Sequence, residues 1–179
     1  MNLTEITDSK EYVYNGKIIN LRKDKVTLPN GNKADREVVE HPGGVCVVPL
    51  TEDGYVYMVR QFRYPYGEAL LEIPAGKLDK GEYPLACGKR ELSEETGAVA
   101  EEYTFLGKLY PSPGYVDEII YMYLAGKLTV LSANPDDDEF LEVEKIPLKK
   151  VVDMIMNNEI TDSKTQTAIL KAYIKTLNI

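Results

Sequence analysis

The chain has 179 residues, 44% of them hydrophobic and 28% charged, which suits a folded domain with an ordinary core and excludes a disordered chain. Its formal net charge of −8 repels phosphate backbones, so no nucleic-acid partner is expected. No apolar run approaches the ~20 residues of a membrane span, the first residues lack a secretory pattern, and two cysteines (Cys46 and Cys87) set up no disulfide framework; a cytoplasmic protein without a membrane partner is expected.

In chain order, the first 40 residues read as short extended pieces. Residues 17–28 carry β-branched side chains, Pro29-Asn30-Gly31-Asn32 is a turn, and residues 36–40 (REVVE) form the return strand of a hairpin. Its apolar load is modest, so it needs another surface to pack on. Residues 45–50 are an apolar run of the kind found in buried strands, and after the turn at 51–54 residues 55–62 alternate as a second strand. A short extended piece at 70–73 ends at Pro74. Residues 85–96 read as a helix closed by Gly97, the residue a C-terminal cap favours. Strands are expected at 103–109 and 118–124, then an acidic loop at 134–139, a strand at 140–144, and helices at 148–157 and 164–177. This order of strands, helix, strands and helices predicts a mixed α/β (α+β) layered fold, not a regular βαβ repeat.

The chemistry concentrates in residues 76–98, GKLDKGEYPLACGKRELSEETGA. At ~100° per residue, Arg90, Glu91, Glu94 and Glu95 share one face of the helix, with Leu85 and Leu92 turned elsewhere, toward the core. Crowded carboxylates repel unless something positive sits among them, and a divalent cation meets that need. Arg90 is placed to hold Glu94 by a charge-assisted pair. The only histidine is His41, so a metal must rely on oxygen ligands, which favours Mg²⁺ or Mn²⁺. Taken alone, RELSEE is equally consistent with a solvated helix face.

The wider spacing changes that balance. Gly76, five residues, Glu82, seven residues, then Arg90-Glu91-Leu92-x-Glu94-Glu95-x-Gly97 fixes seven Gly, Glu and Arg positions. At usages of ~6–7% per residue type, chance produces this in roughly one chain per million. The pattern resembles the box of the Nudix hydrolase family, departing from it where Ala98 replaces a bulky aliphatic residue. Residues 71–76 (LEIPAG) and 110–118 (YPSPGYVDE), with a proline sixteen residues past the box, resemble the ADP-ribose pyrophosphatase branch.

The resemblance implies a Nudix fold, an α/β/α sandwich with a mixed central sheet, carrying an N-terminal β-hairpin region; residues 1–40 form that arm, a possible dimerisation region, and 41–179 the hydrolase domain. It implies Mg²⁺, or Mn²⁺, held by Glu91, Glu94, Glu95 and the Ala75 carbonyl, with Arg90 and Glu82 in support. The general base falls in the acidic loop at Glu139, with Asp137 and Asp138 as near competitors. Arg63 and Lys77 would meet phosphate or ribose, Ser112, Pro113, Gly114 and Glu118 the terminal ribose, and Arg36 and Glu37 the adenine. The implied reaction is hydrolysis of ADP-ribose to AMP and ribose 5-phosphate by a homodimer. Alternatives are another nucleotide sugar such as GDP-mannose, or a module that binds ADP-ribose without cleaving it.

Overall fold

The computed structural model describes residues 2–131 and 140–177. Among them, in order, are β1 (Ile6–Asn15), β2 (Asn20–Thr27), β3 (Lys33–Glu40), β4 (Gly44–Pro49), β5 (Tyr55–Arg63), β6 (Glu68–Glu72), β7 (Ala75–Lys77), α1 (Pro84–Thr96), β8 (Ala98–Leu109), β9 (Ile120–Val130), β10 (Leu141–Pro147), α2 (Leu148–Met156) and α3 (Ser163–Thr176). By its contacts the chain divides into two units, Met1–Gly43 with Tyr110–Ile119, and Gly44–Leu109 with Ile120–Ile179.

In the first unit, β1, β2 and β3 form an antiparallel sheet in chain order. The turn after Leu28 closes through Gly31, whose φ of 85° is one glycine adopts at little cost. Strand β1 is exposed along its whole length, including Ile6, Tyr12, Val13 and Tyr14, and one of its edges is unpaired among the described residues. Segment 110–119 is strapped to the end of β3: Val39 N–H donates to the Tyr115 carbonyl at 2.7 Å and Asp117 N–H to the Val39 carbonyl at 3.1 Å.

The second unit is built around β4. Every residue of that strand is buried, as its unbroken apolar sequence predicts. It pairs antiparallel with β7 and parallel with β9, which continues antiparallel to β8; β5 lies between β10 and β6 in a second, antiparallel sheet. Side chains alternate across β4. Cys46 and Val48 join Met58, Ile73, Met122 and residues of α2 and α3, whereas Val47 joins Leu92 of α1 with Ala98 and Ala125. Helices therefore cover both faces of a mixed sheet, the α/β/α sandwich expected. Gly88 explains itself here: a Cβ would lie 3.2 Å from a methyl of Val45 and another of Val47, so its absence lets α1 approach β4 closely. Ala98 is fully buried in the smaller cluster, where its small side chain fits. Gly97 ends α1 at φ 69°, its N–H on the Ser93 carbonyl.

Three expectations need amendment. Leu85, in the first turn of α1, is 36% exposed and does not face the core, and Tyr83 just before the helix is exposed as well. Strand β8 begins at Ala98, not 103, because Ala98, Val99 and Ala100 pair with Val130, Thr129 and Leu128. β7 was not anticipated; three residues including glycine carry no periodic signal. No helix among the described residues is long and apolar enough to cross a membrane.

Candidate active site

Chain direction sets up the site. β6 runs into Ile73 and Pro74, then β7, then the loop that delivers α1, so the Nudix-like box begins in a sheet and ends on a helix. Arg90 ties these pieces together. Its Nε and Nη2 donate to the two oxygens of Glu82 at 3.2 Å each, Nη2 also reaches the Lys77 carbonyl at 3.4 Å, and Nη1 donates to Glu94 at 2.9 Å and lies 2.8 Å from Glu91 Oε1. Glu82 accepts the Asp79 N–H at 3.1 Å, so it folds the loop onto the helix. The Arg90 guanidinium holds the Glu82 carboxyl below its ordinary range, and Glu82, followed by the other acids, raises Arg90 despite its partial burial.

Two of the helix acids turn inward. Glu91 and Glu95 are 7% and 2% exposed, whereas Glu94 is half-buried. Glu95 Oε2 accepts the Ala75 N–H at 3.0 Å. Glu91 rests against Gly76 so closely that a Cβ there would overlap its carboxylate. Glycine at 76 is thus required by the acid it faces. Among the described residues no three His, Cys, Asp or Glu side chains converge as a ready-made metal cage. Mg²⁺ does not need one, since it is commonly bound by one or two carboxylates together with waters and substrate phosphates. Two buried carboxylates beside a backbone bare of Cβ form an all-oxygen donor set that fits such an ion.

Cys87, one turn before Arg90, gives its Sγ–H to the Lys77 carbonyl at 3.2 Å. Burial, reinforced by Glu82 and Glu91, pushes its thiol up to about 12, far from a nucleophile's range.

A second charged cluster was not expected from sequence. Glu72, 1% exposed, accepts from Arg63 Nε and Nη2 at 2.7 Å each and also from Lys164 Nζ. Lys164 lies 3.1 Å from Asp162, which caps α3 by accepting the Thr165 N–H at 2.9 Å. Thr165 Oγ1, fully buried, accepts the Ile73 N–H at 3.0 Å. Two signals were available: Glu72 interrupts an apolar strand, and Lys164 sits in the first turn of a helix, where the macrodipole disfavours a cation. Each is a charge that needs a partner.

Of the other residues singled out, Lys77 ends β7 with its side chain exposed. Within the first unit, Ser112, Pro113 and Gly114 form a turn in which the Ser112 carbonyl accepts from Tyr115 and Val116. Glu118 Oε1 lies 3.3 Å from His41 Nδ1, and the His41 N–H donates to Asp117 at 2.9 Å. Arg36 forks onto Glu5 at 2.9 and 2.5 Å, while Glu37 beside it is exposed. Glu139, with Asp137 and Asp138, lies outside the described residues.

The profile of the NUDIX domain matches residues 40–166. The chain belongs to the Nudix family. A second profile, the nucleoside diphosphate sugar hydrolase N-terminal domain, matches residues 5–39. This Nudix protein is 43% identical over 176 residues to an ADP-ribose pyrophosphatase of Bacillus subtilis (strain 168), covering 97% of this chain and 95% of that one. It is 41% identical over 167 residues to the methanol dehydrogenase activator of Bacillus methanolicus, covering 92% and 90%. A crystal structure of an ADP compounds hydrolase shares the fold, with a TM-score of 0.87 over 99% of this chain and 97% of that one at 22% identity. The chain is a Nudix pyrophosphohydrolase.

Proposed function

We propose that this Nudix enzyme hydrolyses ADP-ribose to AMP and ribose 5-phosphate with Mg²⁺, or Mn²⁺, as its cofactor. The observation that carries the reading is the inward turn of Glu91 and Glu95 onto the backbone at Ala75 and Gly76. These two acids, one helical turn apart and drawn in against the backbone that opens the box, offer carboxylate oxygens of the kind that hard divalent cations prefer. Glu91 and Glu95, with Glu94 and the Ala75 carbonyl assisting, would hold it. When bound, the ion supplies neutralisation of the diphosphate and acidification of the attacking water.

The remaining roles belong to the chain. Water adds to one phosphorus, the bridging P–O bond breaks, and its electrons leave with the departing phosphate. An acid among residues 134–139, with Glu139 favoured over Asp137 and Asp138, accepts the water's proton. Arg90 and Glu82 keep the loop and the acids in register. Arg63 presents a guanidinium to the phosphates or terminal ribose, and Lys77 a second cation. Ser112, Pro113, Gly114 and Glu118 take the terminal ribose, Arg36 and Glu37 the adenine. The ADP-ribose pyrophosphatase relative, similar from end to end, supports this substrate over others. We also propose a C2 homodimer formed through the exposed first unit, in a reducing, cytoplasmic setting that suits two free, buried cysteines.

A product assay across ADP-ribose, GDP-mannose and the nucleoside triphosphates tests the substrate. ADP-ribose is expected to show the highest kcat/KM. A preference for triphosphates or for GDP-mannose overturns the assignment.

A further inference from the structure

The Glu72 cluster is placed to govern how Arg63 meets the substrate. A carboxylate buried to 1% exposure is satisfied only by full hydrogen bonding, and Glu72 achieves this with two cations from different elements, Arg63 of β5 and Lys164 of α3. The Arg63 contact is a parallel fork, the geometry that fixes a guanidinium in plane as well as in place. It occupies Nε and Nη2; among the described residues Nη1 makes no hydrogen bond, and the side chain is 36% exposed, so the opposite edge of the group is open. Hydrogen bonding to Glu72 is the main cause that raises the Arg63 guanidinium, with smaller contributions from the charges of Asp162 and Glu95.

Lys164 gives the fork its second anchor. Its side chain is 12% exposed, lodged between Glu72 and the helix cap Asp162. One residue on, Thr165 grips the Ile73 N–H. The first turn of α3 therefore holds two consecutive residues of the segment that leads through Pro74 to Ala75.

We infer that Glu72 and Lys164 are positioning residues for substrate binding, holding the Arg63 guanidinium with its Nη1 edge toward the diphosphate. This rests on the reading of Arg63 as a phosphate contact. Replacing Glu72 by glutamine removes one fork acceptor and all of the charge, so Arg63 is freed to swing. Replacing Lys164 by methionine keeps the stem and leaves the buried carboxylate short of one partner.

The test is steady-state kinetics on ADP-ribose, with melting temperatures, for E72Q, K164M, K164R, R63A and R63A/E72Q. E72Q and K164M are expected to raise KM by roughly tenfold, the scale on which outer-shell partners act, with kcat changed far less. K164R restores most of the loss. In the R63A background E72Q adds no further rise in KM, a coupling that general loosening of the fold does not produce. K164M supplies the answer should E72Q fail to fold. An equal KM increment from E72Q with and without Arg63, or an unchanged KM in folded E72Q and K164M, overturns the inference alone. A wild-type KM in R63A overturns the phosphate reading of Arg63 and this inference with it.

Discussion

Glu91, Glu94 and Glu95 look alike on a helical wheel, yet the fold sorts them. Glu94 stays half-exposed on Arg90, while Glu91 and Glu95 are drawn in against β7. The metal-holding role proposed above therefore falls chiefly on the buried pair. Glu91→Gln and Glu95→Gln each remove a charge without changing shape, and Arg90 keeps Glu82 and Glu94 in both. Turnover is expected to fall by more than ~100-fold, beyond the ~10–100-fold typical of outer-shell residues. Circular dichroism and melting curves should show the fold retained. Near wild-type turnover in either variant removes the proposed metal site. The box acids and Arg90 were legible in the sequence because their spacing is helical. That Glu91 and Glu95 are buried was not, since burial depends on a three-residue strand too short to announce itself.

Among the elements, the longer and more regular ones were the readable ones. β4 shows as an unbroken apolar run, and α1 is bounded by Pro84 and Gly97. The N-terminal half of β8 was hidden: Ala98 to Glu102 has no strand alternation, and cross-strand partners on β9 extend it. Glu72 carries a consequence at this scale, because it joins β5, β6 and α3. Burial on its own raises its carboxyl, but the Arg63 fork and Lys164 outweigh that and hold it below the ordinary value of 4.5. A carboxyl depressed in the folded state contributes stability above its unfolded pKa and loses it as pH falls through the folded value. Melting temperature is therefore expected to drop as pH is lowered below about 4, and E72Q, less stable at neutrality, should show a shallower acid decline. Calorimetry between neutral and acid pH measures this. Parallel acid declines in the two proteins contradict the role given to Glu72.

For the whole molecule, the mixed α/β class was legible in the order of elements, and the two-sided covering of the sheet was implied by the resemblance to the Nudix family. The membership of each compact unit was not. Segment 110–119 joins the N-terminal sheet through its bonds to Val39 and His41, long-range contacts that local sequence cannot register. The first unit exposes a ten-residue strand bearing Ile6, Tyr12, Val13 and Tyr14, the kind of edge soluble proteins cover by pairing. Sedimentation at micromolar concentration is expected to give a dimer; a monomer refutes the proposed assembly.

The proposed catalytic roles all depend on a divalent ion that Glu91 and Glu95 would hold for a diphosphate substrate. The most direct measurement is incubation of the purified protein with ADP-ribose and Mg²⁺, with and without excess chelator, and identification of the products. AMP and ribose 5-phosphate in equal amounts, with formation abolished by the chelator and restored by added Mg²⁺, is the predicted result. Intact ADP-ribose in the presence of Mg²⁺ and Mn²⁺, or equal turnover in the chelated sample, contradicts the account.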